Sequence, residues 1–228
     1  MLWYGSFFIL IPGLIISLYA SIKVRTTYNK FSKIGNSKNI TGNEAARRIL
    51  DSAGLQHVRT EHIRGNLTDH YDPRDQVLRL SEGVYGSTSI AAIGIAAHEA
   101  GHAIQHATKY SPLVIRNSIV PVVNIATNAS WIIFLIGLFF SGSSGITLMN
   151  IGIFLFSFAV IFQLITLPVE FNASRRAVEQ IEAVAIGDGE DVQGVKKVLN
   201  AAAMTYVAAL LVTLLQLFRL IVLRGSRD

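Results

Sequence analysis

The stretch IAAHEAGHAIQH, Ile95 to His106, carries two histidines four positions apart with a glutamate directly after the first. On a helix, positions i and i+4 lie one turn apart on the same face, so the His98 and His102 imidazoles can reach one ion. Glu99 points to another side of that ion, where it is placed to take a proton from water rather than to act as a ligand. The spacers Ala100 and Gly101 are small and admit a neighbouring chain. The run before the motif is apolar but only about ten residues long, whereas a membrane crossing needs about 20. The stretch therefore reads as a buried helix of a folded region, with polar groups that are costly to bury without a purpose. This separates the chain from proteins that carry such a motif inside a full membrane span.

Around that helix the composition is that of a membrane protein. Of 228 residues 51% are hydrophobic and 15% charged, and the apolar residues gather in long runs. Four stretches are long enough to span: 2–22, 115–140, 146–169 and 201–223. In the second, Pro121 is a kink position, and Asn124, Thr127 and Asn128 share a face that can bond to neighbouring helices. The chain has no cysteine, so disulfides and thiolate ligands are excluded and a metal must be held by His, Asp or Glu.

The net charge of +5 matters here through its placement. Thirteen Lys and Arg lie from Lys23 to Arg116, and Arg175, Arg176, Lys196 and Lys197 lie between the third and fourth spans. The linker SGSSG between the second and third has none. Basic loops stay on the cytoplasmic side, which puts 23–114 and 170–200 there and both termini outside. The first span has no basic residue before it, so it reads as a retained anchor rather than a cleaved signal. Arg219, Arg224 and Arg227 run against this orientation. The partners implied are the lipid bilayer and a protein or peptide substrate, with no nucleic acid; the oligomeric state is not legible.

The polar region 23–114 has α+β character. Thr41 and Glu44 form a capping box at the start of TGNEAARRILDSAG. Val58–Ile63 alternates as a strand. LTDHY and QVLRL flank the turn signal DPRD and read as a hairpin. SEGVYGSTS reads as a loop, with Ser87 as the cap of the motif helix, which spans about 87–108. In 170–200, Glu170 is the first acid after the third span, opening a polar helix after Pro168. An acid at that boundary is expensive unless used. With His98 and His102 it completes a His₂Glu set for one Zn²⁺ per chain, with Asn172 and Ser174 placed to support it. His106, eight residues from His98, lies roughly 12 Å along the helix, too far to share the ion, and is expected beside the site or at the surface. His70, Tyr71, Tyr85 and Arg176 are the further candidates to steady a transition state.

HEAGHAIQH, two spans, and LPVEFNASRRA, together with DPRDQVLRLSEGVYGSTSIAAIGIAAHE, resemble the neutral zinc metallopeptidases of the YugP type, bacterial membrane proteins. The order of motifs is also similar to the HtpX and CAAX-protease group of membrane gluzincins, in which the third ligand is the first Glu of a Glu-x-x-x-Asp motif. Ser174 stands where that motif has Asp. The resemblance implies a mainly α membrane protein with a small α+β zincin-like (gluzincin) catalytic region and zinc-dependent peptide hydrolysis. It assigns His98, His102 and Glu170 as ligands and Glu99 as base. It also implies an edge strand before the motif helix that takes up substrate, here Gln76, Val77, Leu78, Arg79 and Leu80. Two rivals stand beside this reading: a site-2-type intramembrane protease, whose second motif has no counterpart beyond the polar GDG around Asp188, and a non-catalytic zinc scaffold, which would need a fourth protein ligand.

Overall fold

The computed structural model describes residues 5–226, so Leu2, Trp3 and Tyr4 of the first expected span lie outside the described residues. A 3₁₀ turn at Ser6–Leu10 leads into α1 (Ile11–Phe31). Then come α2 (Gly42–Ser52), β1 (Arg59–Ile63), β2 (His70–Asp72), β3 (Val77–Ser81), the single turn α3 (Glu82–Tyr85), the motif helix α4 (Ile90–Ala107), α5 (Ser111–Phe139), α6 (Gly142–Ala183) and α7 (Gly189–Gly225). Four helical stretches, Ser6–Phe31, α5, α6 and α7, are long and apolar enough to cross a membrane. The chain divides into two compact units. One holds residues up to Ala20, Val114–Pro168 and the chain from Thr205; the other holds Ser21–Leu113 and Val169–Met204.

The first unit is helical. Phe134, Met149, Phe156, Leu220 and Leu223 form its buried cluster. At Gly152 an added Cβ would lie 2.8 Å from the Phe134 Cβ, so α5 and α6 approach closely through a residue without a side chain, as membrane helices do. Asn124 and Asn128 are exposed, contrary to the expected bonding to neighbouring helices. α5 runs unbroken through Pro121.

The second unit is α+β. Thr41 caps α2 and Glu44 reaches back to its backbone N–H, closing the expected box. The DPRD turn joins β2 and β3 as an antiparallel hairpin. β1 then pairs with β3 in parallel, from Arg59 beside Val77 to Ile63 beside Ser81. The order β1-β3-β2 makes β3 the central strand. The expectation that Gln76–Leu80 forms a substrate-binding edge is therefore corrected: Val77, Leu78 and Leu80 are fully buried, and both sides of the strand are already hydrogen-bonded. The edges are β1 and β2.

Two boundaries also move. Ser89, not Ser87, caps α4, its hydroxyl accepting from Ala92 N–H; Ser87 instead donates to the Ser89 hydroxyl. The expected loop before it contains the α3 turn. Glu170 does not open a helix after Pro168, since α6 continues through both for 42 residues. Proline removes one backbone donor, a loss that long apolar helices accommodate through neighbours and local adjustment.

Candidate metal centre

α4 is made of small residues where it meets its neighbours. Ala92, Ala96, Ala97 and Ala100 are wholly buried. A Cβ on Gly101 would lie 2.7 Å from the Ala173 carbonyl oxygen, so at the motif the backbones of α4 and α6 touch. That contact carries the His98 and His102 side chains to the face of α6 that bears Glu170.

The ligand-capable atoms of His98, His102 and Glu170 all lie within 4.8 Å of one another, a group able to hold a metal ion. His98 Nε2 is 3.3 Å and His102 Nε2 3.5 Å from Glu170 Oε2. Donors at zinc distances around a tetrahedral ion lie about 3.3–3.4 Å apart, so this donor set fits zinc in both chemistry and spacing. The two rings stand edge to face, with centroids 4.8 Å apart. Glu170 is 5% exposed, so its charge is held in place by its partners and not by water.

Each imidazole is gripped at its far nitrogen. Ser174 Oγ sits 3.2 Å from His98 Nδ1, and Gln105 Oε1 sits 3.0 Å from His102 Nδ1. The Gln105 contact makes Nδ1 of His102 the protonated nitrogen and leaves Nε2 for a metal. Gln105 is itself fully buried and donates through Nε2 to the Val169 carbonyl and to Asn172 Oδ1. Asn172 also receives Arg176 Nε at 2.8 Å. One network thus locks the motif helix to the segment that carries Glu170. Burial works to lower the His102 pKa, but the hydrogen bond that the ring donates to Glu170, the charges of Glu99 and Glu170 and the Gln105 contact outweigh it and hold the value above that of an ordinary histidine.

Gln105 was not singled out from sequence. Its signal was a polar residue three positions after His102, on the same face of a helix otherwise built of Ala, Gly and Ile. Ser174 and Asn172 were expected around Glu170; the structure puts Ser174 on His98 and Asn172 on Gln105.

Glu99 faces the strand side. Its Oε2 accepts the backbone N–H of Tyr71 at 3.1 Å, and Tyr71 belongs to β2, an edge strand. The Tyr71 hydroxyl lies 2.9 Å from His106 Nδ1, and burial, followed by the charge of Asp72, raises the pKa of that phenol. Tyr71 and His106 line a cavity of about 270 Å³ with His57 and Gln76. The remaining candidates lie in other surroundings. His70 is exposed, with Nδ1 at the Thr68 carbonyl. Tyr85 packs against His62, with centroids 5.2 Å apart. Arg176 is engaged by Asn172.

Comparison with known proteins identifies the family. Residues 6–225 match the family described as "Putative neutral zinc metallopeptidase", and the chain belongs to that family. It is 50% identical over 216 residues, 95% of each chain, to a Bacillus subtilis (strain 168) protein named "Putative membrane protease YugP". No solved structure matches the chain.

Proposed function

We propose that the protein is a membrane-embedded, zinc-dependent endopeptidase of gluzincin type that hydrolyses peptide bonds in membrane or membrane-proximal proteins. The observation that carries this reading is the convergence of two imidazoles from α4 and one carboxylate from α6, with Glu99 next to His98 on α4 and its Oε2 tied to an edge strand. A catalytic zinc takes three protein ligands and leaves a position open, and the described residues provide three. When bound, the ion supplies Lewis acidity, polarising a scissile carbonyl and making water acidic enough to lose its proton near neutral pH.

The protein's own groups do the rest. Ser174 and Gln105 orient the imidazoles of His98 and His102. The N–H of Tyr71 pins Glu99 Oε2, which leaves Oε1 to accept a water proton and pass it to the leaving amine. β2 offers the sheet edge beside Glu99 along which an extended peptide can lie. The Tyr71 phenol, bonded to His106, is the donor we assign to steady the developing oxyanion, on the strength of the bond between its backbone N–H and Glu99. The basic residues of 23–114 and 170–200 support a cytoplasmic position for this unit at the bacterial cell membrane, where segments leaving the bilayer would be its substrates.

The test compares wild-type protein in detergent with Glu99→Gln, measuring zinc content and cleavage of casein and of a membrane protein. Both forms should hold one zinc per chain. Cleavage should fall by on the order of a thousandfold or more in the variant, a loss at the upper end of general-base contributions. Equal cleavage by both would remove Glu99 from its role. Zinc bound by both with no cleavage of either substrate would favour a binding protein.

A further inference from the structure

The second unit contains a larger cavity, of about 420 Å³, made by two helix stripes. Lys23, Thr26 and Lys30 come from α1, and Lys197 and Asn200 from α7, with Phe31 among the apolar groups of the lining. The spacing on each helix is i, i+3, i+7 or part of it, the positions that normally carry the apolar stripe between packed helices. Here they carry ammonium, hydroxyl and amide groups, and no Asp or Glu lines the space.

Some of the unit's other basic residues are ion-paired, whereas among the described residues Arg25, Lys33, Arg64, Arg74 and Lys109 are not; what distinguishes the cavity is that it gathers three cations on one lining. Arg47 pairs with Asp51, Arg79 with Glu61, Asp72 and Asp75, and Arg175 with Glu179. Lys196, directly beside Lys197, pairs with Glu182. Among the described residues Lys23 and Lys197 make no such pair, and Lys30 lies over the Phe31 ring at 5.5 Å. Three like charges around one cavity repel each other until an anion enters. Along the chain, Lys23 follows Ala20, where one segment of the helical unit ends, by three residues, and Asn200 precedes Thr205, where another begins, by five.

We propose that this cavity is a binding site for a phosphate-bearing anion, with Lys23, Lys30 and Lys197 neutralising the phosphate and the Asn200 amide donating a hydrogen bond to one of its oxygens. Its volume lies within the range of small-molecule sites, larger than a bare phosphate needs, and its apolar lining suits the ester side of a phospholipid headgroup. Lysine is a phosphate binder that acts as a point charge, so the site selects charge and size more than orientation.

The test uses delipidated full-length protein in detergent, titrated with short-chain phosphatidylglycerol, with phosphatidylcholine and with inorganic phosphate, and read by native mass spectrometry and thermal unfolding. The wild type should bind one phosphatidylglycerol in preference to phosphatidylcholine. Lys23→Gln/Lys30→Gln/Lys197→Gln should weaken this on the order of a hundredfold, with zinc content unchanged. Thr26→Trp, which fills the exposed mouth and keeps every charge, should abolish it too. Arg25→Gln/Lys33→Gln/Arg48→Gln, which removes three exposed charges outside the cavity, should change it less than threefold. If inorganic phosphate stabilises the wild type but neither cavity variant, and the two lipids bind alike, the anion comes from solution. Equal losses in the cavity and control triples, or unchanged binding in Thr26→Trp, would reduce the effect to diffuse surface charge and overturn the proposal.

Discussion

The two units of the molecule place the same residue types in opposite ways. In the helical unit large apolar side chains face outward: Ile125 is 72% exposed and Phe139 87%. In the unit that carries the site, Leu50, Leu78, Leu80 and Ile93 are fully enclosed. The polar groups enclosed with them are Gln105, Glu170 and Asn172 of the metal centre and its network, together with Asn36, Ser81, Ser89 and Asp191, which bond loops and helix caps. Each unit is consistent with its own solvent. Lipid makes no demand that apolar surface be hidden, whereas water does. The difference teaches where polar burial carries information: in the second unit, where it opposes the hydrophobic effect, it marks either a loop or helix cap or the metal centre, and only the meeting of imidazoles with a carboxylate separates the two.

The comparison breaks most decisively at the metal centre. Glu170→Ala should take zinc from one ion per chain to none after dialysis, measured by plasma emission; retained zinc would show that the enclosed carboxylate has a packing role only. Next comes the solvent argument. Leu78→Ala should cost about 3 kcal/mol of unfolding free energy through lost burial and a cavity. Phe154→Ala, on a side chain 64% exposed in the helical unit, should cost less than about 1 kcal/mol. Equal costs in denaturant titrations of protein in detergent would erase the distinction between the units.

A smaller effect sharpens the reading of the buried network. Gln105→Leu should weaken zinc affinity about 10- to 100-fold, the usual range for a group that orients a ligand. Ser174→Ala, with a longer contact, should fall at or below the low end of that range. Chelator competition gives both values, and a larger loss for Ser174→Ala would reverse the ranking. The smallest effect lies far from the centre. The Thr41 backbone and hydroxyl hold the exposed Glu44 carboxyl below its usual pKa. A carboxyl with a lowered folded-state pKa stabilises the fold above its unfolded value, and that contribution is lost as pH falls through the folded value. Glu44→Gln should therefore reduce the acid sensitivity of unfolding slightly and leave the neutral-pH zinc content untouched.

Much of the architecture was legible because it rests on period and length. Apolar runs of span length mark the four long helices. Thr41 with Glu44 marks the start of α2, and DPRD between alternating segments marks the hairpin. Helix ends were less legible, since Pro168 signals a break that a long apolar helix can absorb, and the cap of α4 falls on Ser89, two residues past the expected Ser87. The role of QVLRL was misread because strand order is not a local property: a strand looks the same in sequence whether its second neighbour is substrate or β1.

What the sequence by itself determined is the pair His98 and His102, since 3.6 residues per turn puts i and i+4 on one face whatever surrounds them, and the absence of any sulfur ligand. It also determined the segregation of apolar runs that calls for lipid. Only the tertiary structure decided that Glu170, 68 residues past His102, stands 3.5 Å from it, that Gln105 rather than a residue near Glu170 fixes that imidazole, and that β2 rather than β3 is the edge beside Glu99. The physical reason is the backbone contact at Gly101 and Ala173. A helix crossing is fixed by what every packed neighbour allows at once, and local periodicity carries no information about it.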